Sequence, residues 1–213
     1  MKSLFTGEIR SRLTASRAVA TVTIEEVDQA KPLAEALIAG GIECVEITLR
    51  TPAALDAMKA IANSYPQLMI MAGTVITPEQ VKQVQDVGAV CAVAPGLNRR
   101  VIEAALTAKM PFAPGVATPS EIEAALEYDC DILKFFPAEP MGGIGYLKSM
   151  QAPYAHLGLQ FIPLGGLHAD NAENYLKESC ILAVGGSWIA KADAISTGDW
   201  SGIKQRAAAV MGV

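Results

Sequence analysis

Eight short apolar runs punctuate the chain, each followed by a stretch of helical character, and this rhythm limits the available folds more than any other feature. The runs cover residues 19–23, 44–48, 68–72, 89–93, 111–114, 132–136, 160–163 and 181–184. Successive starts lie 21 to 28 residues apart, which is close to one strand–loop–helix–loop unit. Near-continuous apolar strands are those of a parallel sheet whose outer face is covered by helices. Eight such units in a chain of 213 residues predict the α/β class and a small (β/α)8 TIM barrel, with an extra N-terminal helix over residues 4–13. A doubly wound open sheet is the competing arrangement, although no GxGxxG follows the first run.

The segments between the runs carry helix start and stop signals. Thr77-Pro78-Glu79-Gln80 and Thr118-Pro119-Ser120-Glu121 each offer a capping hydroxyl, then proline at the first helical position. The segment over residues 26–39 ends at Gly40-Gly41, and Pro32 inside it sets the predicted start of the regular helix. No linker-like stretch divides the chain. One domain over residues 1–213 is expected, with residues 1–16 as an N-terminal helical extension.

Composition narrows the function classes. Half the chain (51%) is apolar and 18% is charged, enough to build a core without disulfides or metal. Seventeen Lys and Arg against 22 Asp and Glu leave a net charge of -5. With no basic run, neither nucleic acid nor an anionic membrane is an expected partner. No uncharged apolar stretch reaches the ~18–20 residues of a membrane-spanning helix, and the first eight residues lack the apolar core of a secretory signal. Cys44, Cys91, Cys130 and Cys180 are scattered, and the histidines are His156 and His168. No metal site is expected from them, and isolated thiols suit a reducing cytoplasmic setting.

Strand parity then nominates chemistry. In a closed barrel alternate strand residues face the interior, and active sites lie at the C-terminal ends of the strands. In the second run Val45, Ile47 and Leu49 suit packing against helices, which turns Cys44, Glu46, Thr48 and Arg50 inward. In the sixth run Leu133 and Phe135 face helices, so Ile132, Lys134 and Phe136 face inward. Two readings of Lys134 are open on position alone. It forms a buried ion pair with Glu46 or reaches the rim, or it is a Schiff-base lysine whose apolar surroundings favour the neutral, nucleophilic amine. Pro163-Leu164-Gly165-Gly166 and Val184-Gly185-Gly186-Ser187-Trp188 place glycine pairs after the last two strands. Loops there form the usual phosphate pocket of such barrels, where backbone N–H groups can approach an anion closely.

Taken together, Val45-Glu46-Ile47-Thr48-Leu49-Arg50, Ala72-Gly73-Thr74-Val75, Ala94-Pro95-Gly96, Pro114-Gly115-Val116-Ala117-Thr118, Leu133-Lys134-Phe135-Phe136-Pro137-Ala138-Glu139 and Gly185-Gly186-Ser187-Trp188 closely resemble the bacterial 2-keto-3-deoxy-6-phosphogluconate (KDPG) aldolases, which also act as 4-hydroxy-2-oxoglutarate aldolases. The resemblance runs from the first strand to the last. It implies a class I aldolase, a homotrimeric (β/α)8 barrel acting on a small 2-keto acid phosphate without metal or cofactor. It further implies Lys134 as the Schiff-base residue and Glu46 as the general acid and base. Arg50 and Thr74 would bind the pyruvyl carboxylate, and Pro95 and Phe136 would wall the pocket. Gly165, Gly166, Gly186 and Ser187 would hold the phosphate.

Two departures stand out. The family commonly has Pro-Thr-Gly-Gly where this chain has Pro163-Leu164-Gly165-Gly166, so an apolar side chain replaces a hydroxyl. The first strand reads Ala20-Thr21-Val22-Thr23, where many members carry a proline or an arginine. Neither departure is expected to touch the lysine or the glutamate. The rival readings are an aldolase for the galactonate epimer or chiefly for 4-hydroxy-2-oxoglutarate, another sugar- or thiazole-phosphate enzyme, and a non-catalytic barrel that binds phosphorylated metabolites.

Overall fold

The structure, a computed structural model, describes residues 4–212. Its strands are β1 (Ala18–Val22), β2 (Cys44–Thr48), β3 (Met69–Gly73), β4 (Cys91–Val93), β5 (Phe112–Ala113), β6 (Gly115–Val116), β7 (Ile132–Phe135), β8 (Gln160–Pro163) and β9 (Val184–Gly186). Helix α1 (Gly7–Ser16) precedes them. Between and after them run α2 (Ala30–Ala39), α3 (Ala54–Ser64), α4 (Pro78–Asp86), α5 (Arg99–Ala108), α6 (Pro119–Leu126), α7 (Gly143–Gln151), α8 (Ala169–Leu176), α9 (Ala192–Ser196) and α10 (Trp200–Met211).

Every strand pairing is parallel. One curled sheet has the order β5-β4-β3-β2-β1-β9 and the other β6-β7-β8. The order follows the chain with no reversal, unlike a doubly wound sheet, whose strand order turns back at a switch point. The expected fifth strand is split in two by Pro114, which has no N–H to give to a ladder. Gly115 N nevertheless donates to Gly96 O (3.2 Å) beyond β4. At the other flank Phe161 of β8 bridges Ile181, and Val184 N donates to Arg17 O beside β1 (2.9 Å). The eighth expected run therefore straddles two neighbours. Its start touches β8, while the ladder with β1 begins only at Val184.

Two apolar clusters divide the side chains by parity. Val45, Ile47, Ile70, Ala72, Leu133 and Phe135 pack outward with helix residues such as Leu33, Leu37, Met58 and Ile61. Val19, Cys44, Met69, Met71, Cys91, Ile132, Ile162 and Leu182 face inward, joined by Ile9 and Leu13 of α1. Helix α1 lies at the N-terminal end of that interior, where Arg10 binds Asp131 (2.6 Å) and Gln160 (2.8 Å) ahead of β7 and on β8.

The helix starts at Gly7 and ends at Ser16, later at both ends than residues 4–13. Thr6 takes the N-cap position, its hydroxyl accepting from Ile9 N (3.4 Å), and leaves Leu4 and Phe5 outside. Residues 1–3 of the expected extension lie outside the described residues. Helix α2 starts two residues ahead of Pro32, whose missing N–H falls in the first turn where no intrahelical acceptor exists. Thr77 and Thr118 cap α4 and α6 as their sequences predict. No helix among the described residues is long and apolar enough to cross a membrane.

Candidate active site

Strands β2 and β7 belong to different sheets, and alternation along each turns one charged side chain inward. Glu46 is fully buried and Lys134 nearly so (3% exposed). Lys134 Nζ donates to Glu46 Oε1 at 2.9 Å. Among the described ion pairs this is the only one with both side chains buried. Burying two charges is costly unless they meet with good geometry and their remaining donors and acceptors find partners. The Phe136 ring centroid lies 5.5 Å from Nζ, within cation–π range.

The other carboxylate oxygen has a partner that the motifs did not indicate. Thr21 Oγ1 donates to Glu46 Oε2 (3.2 Å) from β1, where the two residues are in register. The first-strand departure therefore does touch the glutamate, contrary to expectation. Parity carries the signal: Val19 faces the interior, so Thr21 and Thr23 do too. Thr48 Oγ1 donates to Val22 O (3.1 Å), which leaves Thr23 as the donor to Thr48 (3.0 Å). Gly73 was also missed as a site residue. A Cβ there would fall 2.3 Å from Glu46 Oε1, so the carboxylate lies directly against the β3 backbone.

The remaining predicted residues ring the C-terminal ends of the strands, opposite α1. Arg50 lies just past β2, is exposed, and forms no ion pair among the described residues. Thr74 follows β3 with φ 60°, a strained setting for a β-branched residue. Pro95 follows β4, half-buried, with its carbonyl so close to β6 that a Cβ on Gly115 would meet it at 2.3 Å. Gly165 and Gly166, after β8, have φ 97° and 82°, which glycine adopts without strain. Neither of their N–H groups has a protein acceptor among the described residues.

Gly165 also lies on the Phe136 ring, where a Cβ would come within 3.2 Å. Gly186 ends β9 beneath Trp188, whose ring would stand 1.9 Å from any Cβ placed there, and Ser187 is exposed beside it. Leu164 is buried in the interior cluster against Gly185. Glu139 ties the loop after β7 to the one after β8, its N–H donating to Gly165 O (3.0 Å) and its carboxylate accepting from Tyr175. His168 is exposed at the start of α8 and His156 is exposed in a short 3-10 turn, so neither approaches the buried pair.

The thiols are poor nucleophiles. Burial pushes Cys44 up to about 12 and raises Cys91 further. Desolvation also pushes Cys130 up to about 12. Among the described residues no group of three or more His, Cys, Asp or Glu side chains is placed to hold a metal ion.

The sequence pattern described as KDPG and KHG aldolase matches residues 9–206. The chain belongs to this aldolase family. Its matched span takes in the buried pair, Thr21 and the whole rim. A 2-dehydro-3-deoxy-phosphogluconate aldolase of Treponema pallidum is 42% identical over 200 residues, covering 92% of this chain and 94% of the relative. The KHG/KDPG aldolase of Escherichia coli K12 is 38% identical over 197 residues, with 92% of each chain covered. Among solved structures, KDPG aldolase from Legionella pneumophila, with pyruvate captured as a covalent carbinolamine intermediate, superposes with a TM-score of 0.90. That family member is 40% identical and covers 94% of this chain and 97% of its own.

Proposed function

We propose that this protein is a class I aldolase that cleaves KDPG to pyruvate and glyceraldehyde 3-phosphate, and 4-hydroxy-2-oxoglutarate to pyruvate and glyoxylate. The observation that carries the reading is the buried Lys134–Glu46 contact at 2.9 Å. A proton that passes along this bond from Nζ to Oε1 leaves a neutral amine beside a carboxylic acid. The amine adds to the C2 ketone of the substrate, giving a carbinolamine, and loss of water leaves a protonated imine. Glu46, once more a carboxylate, removes the C4 hydroxyl proton directly or through a water. The C3–C4 bond breaks, its electron pair flows into the iminium to give an enamine, and the aldehyde leaves. Protonation of the enamine at C3 gives the imine of pyruvate, which water hydrolyses.

The rim supplies orientation. Arg50, which forms no ion pair among the described residues, and Thr74 would take the pyruvyl carboxylate and aim C2 at Nζ. Gly165 and Gly166, together with Gly186 and Ser187, would hold the phosphate, and Pro95 and Phe136 would wall the pocket. Contacts at both sheet flanks support a closed (β/α)8 barrel in a single domain, with α1 closing its lower end. A homotrimer follows from the family resemblance alone, and a cytoplasmic setting accords with four free thiols.

The reading is tested by following pyruvate release from KDPG, its C4 epimer and 4-hydroxy-2-oxoglutarate, with wild type and Lys134→Ala. Pyruvate release from KDPG that disappears in the variant is expected. Equal release by both proteins would refute the assignment.

A further inference from the structure

Among the described residues the Glu46 side chain has two hydrogen-bond partners, and the proposed reaction uses up one of them. Lys134 holds Oε1 with an amine hydrogen, but once Nζ is bonded to substrate carbon it has fewer hydrogens, and their directions are set by the imine. Gly73 offers Glu46 no side chain, only close backbone. Thr21 Oγ1, 3.2 Å from Oε2, is the partner that the covalent chemistry leaves in place. A hydroxyl has one donor hydrogen and two acceptor lone pairs, so Thr21 stays paired with Glu46 as a carboxylate or as an acid. Its β-branched side chain, on a strand in register with Glu46, has little rotamer freedom to lose. Valine would fill the same volume without a donor.

We propose that Thr21 is a positioning residue for Glu46, its hydroxyl keeping the carboxylate aimed at the substrate while Lys134 is covalently occupied. The proposal rests on the aldolase reading. It predicts that steps made by Lys134 and steps made by Glu46 separate when the hydroxyl is removed. Two assays divide them. Trapping with pyruvate and borohydride reports imine formation at the lysine, whereas exchange of pyruvate methyl hydrogens with deuterated water reports proton transfer at C3.

In Thr21→Val, exchange and kcat are expected to fall about tenfold or more, the size of a lost hydrogen bond to a charged group. The trapped adduct should persist and KM should hold. Thr21→Ser, which restores a hydroxyl, should recover most of the exchange rate. Thr21→Ala makes the same prediction as valine should the valine variant fold poorly. Wild-type exchange in Thr21→Val or Thr21→Ala overturns the proposal. So does a parallel loss of adduct and exchange that serine does not rescue, since that is the mark of a structural role. A wild-type protein that traps no pyruvate refutes the aldolase reading itself, and Thr21's role with it.

Discussion

Cys44 and Glu46 lie two residues apart on one strand, face the same interior and are both fully buried, yet they behave as opposites. Around Cys44 the neighbours are apolar, with Met69, Ile9 and Leu13 in the same cluster. Its thiol has a long contact to a backbone carbonyl (3.8 Å) and the Ser16 hydroxyl beside it, and burial still suppresses its ionisation. Glu46 meets Lys134 and Thr21 across the same interior and keeps a partner on each oxygen. Burial alone makes core. Burial with a complementary partner makes a site, and the partners here come from neighbouring strands rather than from nearby sequence.

The sharpest way to break this contrast is at its upper end. Glu46→Gln keeps the shape and a hydrogen-bonding group but cannot accept a proton. Turnover should drop by about 10²–10⁴-fold, the range of a lost acid–base group, while the pyruvate adduct on Lys134 still forms. A variant that turns over normally would remove Glu46 from the chemistry. At the lower end the same kind of truncation should touch stability alone. Leu13→Ala empties part of the inward apolar cluster that α1 joins and is expected to cost about 2–5 kcal/mol in urea unfolding, with kcat per folded molecule unchanged. A large change in kcat without loss of stability would mean that the two ends are coupled.

The smallest effect concerns the thiols. At pH 8 Cys44 and Cys91 should resist alkylation in the folded protein and react fully in urea, as mass spectrometry can follow. Their raised values also set a sign. The unfolded chain releases these thiol protons near the ordinary value of 9.0, whereas the folded chain holds them until about 12 at Cys44. Stability should therefore fall as pH climbs above about 9. Urea midpoints at pH 8 and pH 10 measure it, and Cys44→Ala should blunt the slope.

Much of this was legible because parallel strands alternate. Parity alone turned Glu46 and Lys134 inward, and threonine-proline pairs marked two helix starts correctly. What stayed hidden depended on partners distant in sequence. Thr21 read as a departure from family pattern because nothing nearby shows that its hydroxyl faces a carboxylate on the next strand. Gly73 looked like one more strand-end glycine until Glu46 was seen lying against it. The late start of β9 and the split at Pro114 also escaped, since both turn on which neighbour each backbone group pairs with. Arg50 was placed on the inward face by parity, but the strand ends at Thr48 and its side chain stands exposed at the rim.

The central claim is that the amine at Lys134 condenses with a keto acid. Incubation with pyruvate, reduction with borohydride and peptide mass mapping tests it in one step. The account predicts one reductively attached pyruvate per chain, on the peptide that carries Lys134. An unmodified Lys134 peptide, or an adduct confined to another lysine, would contradict it.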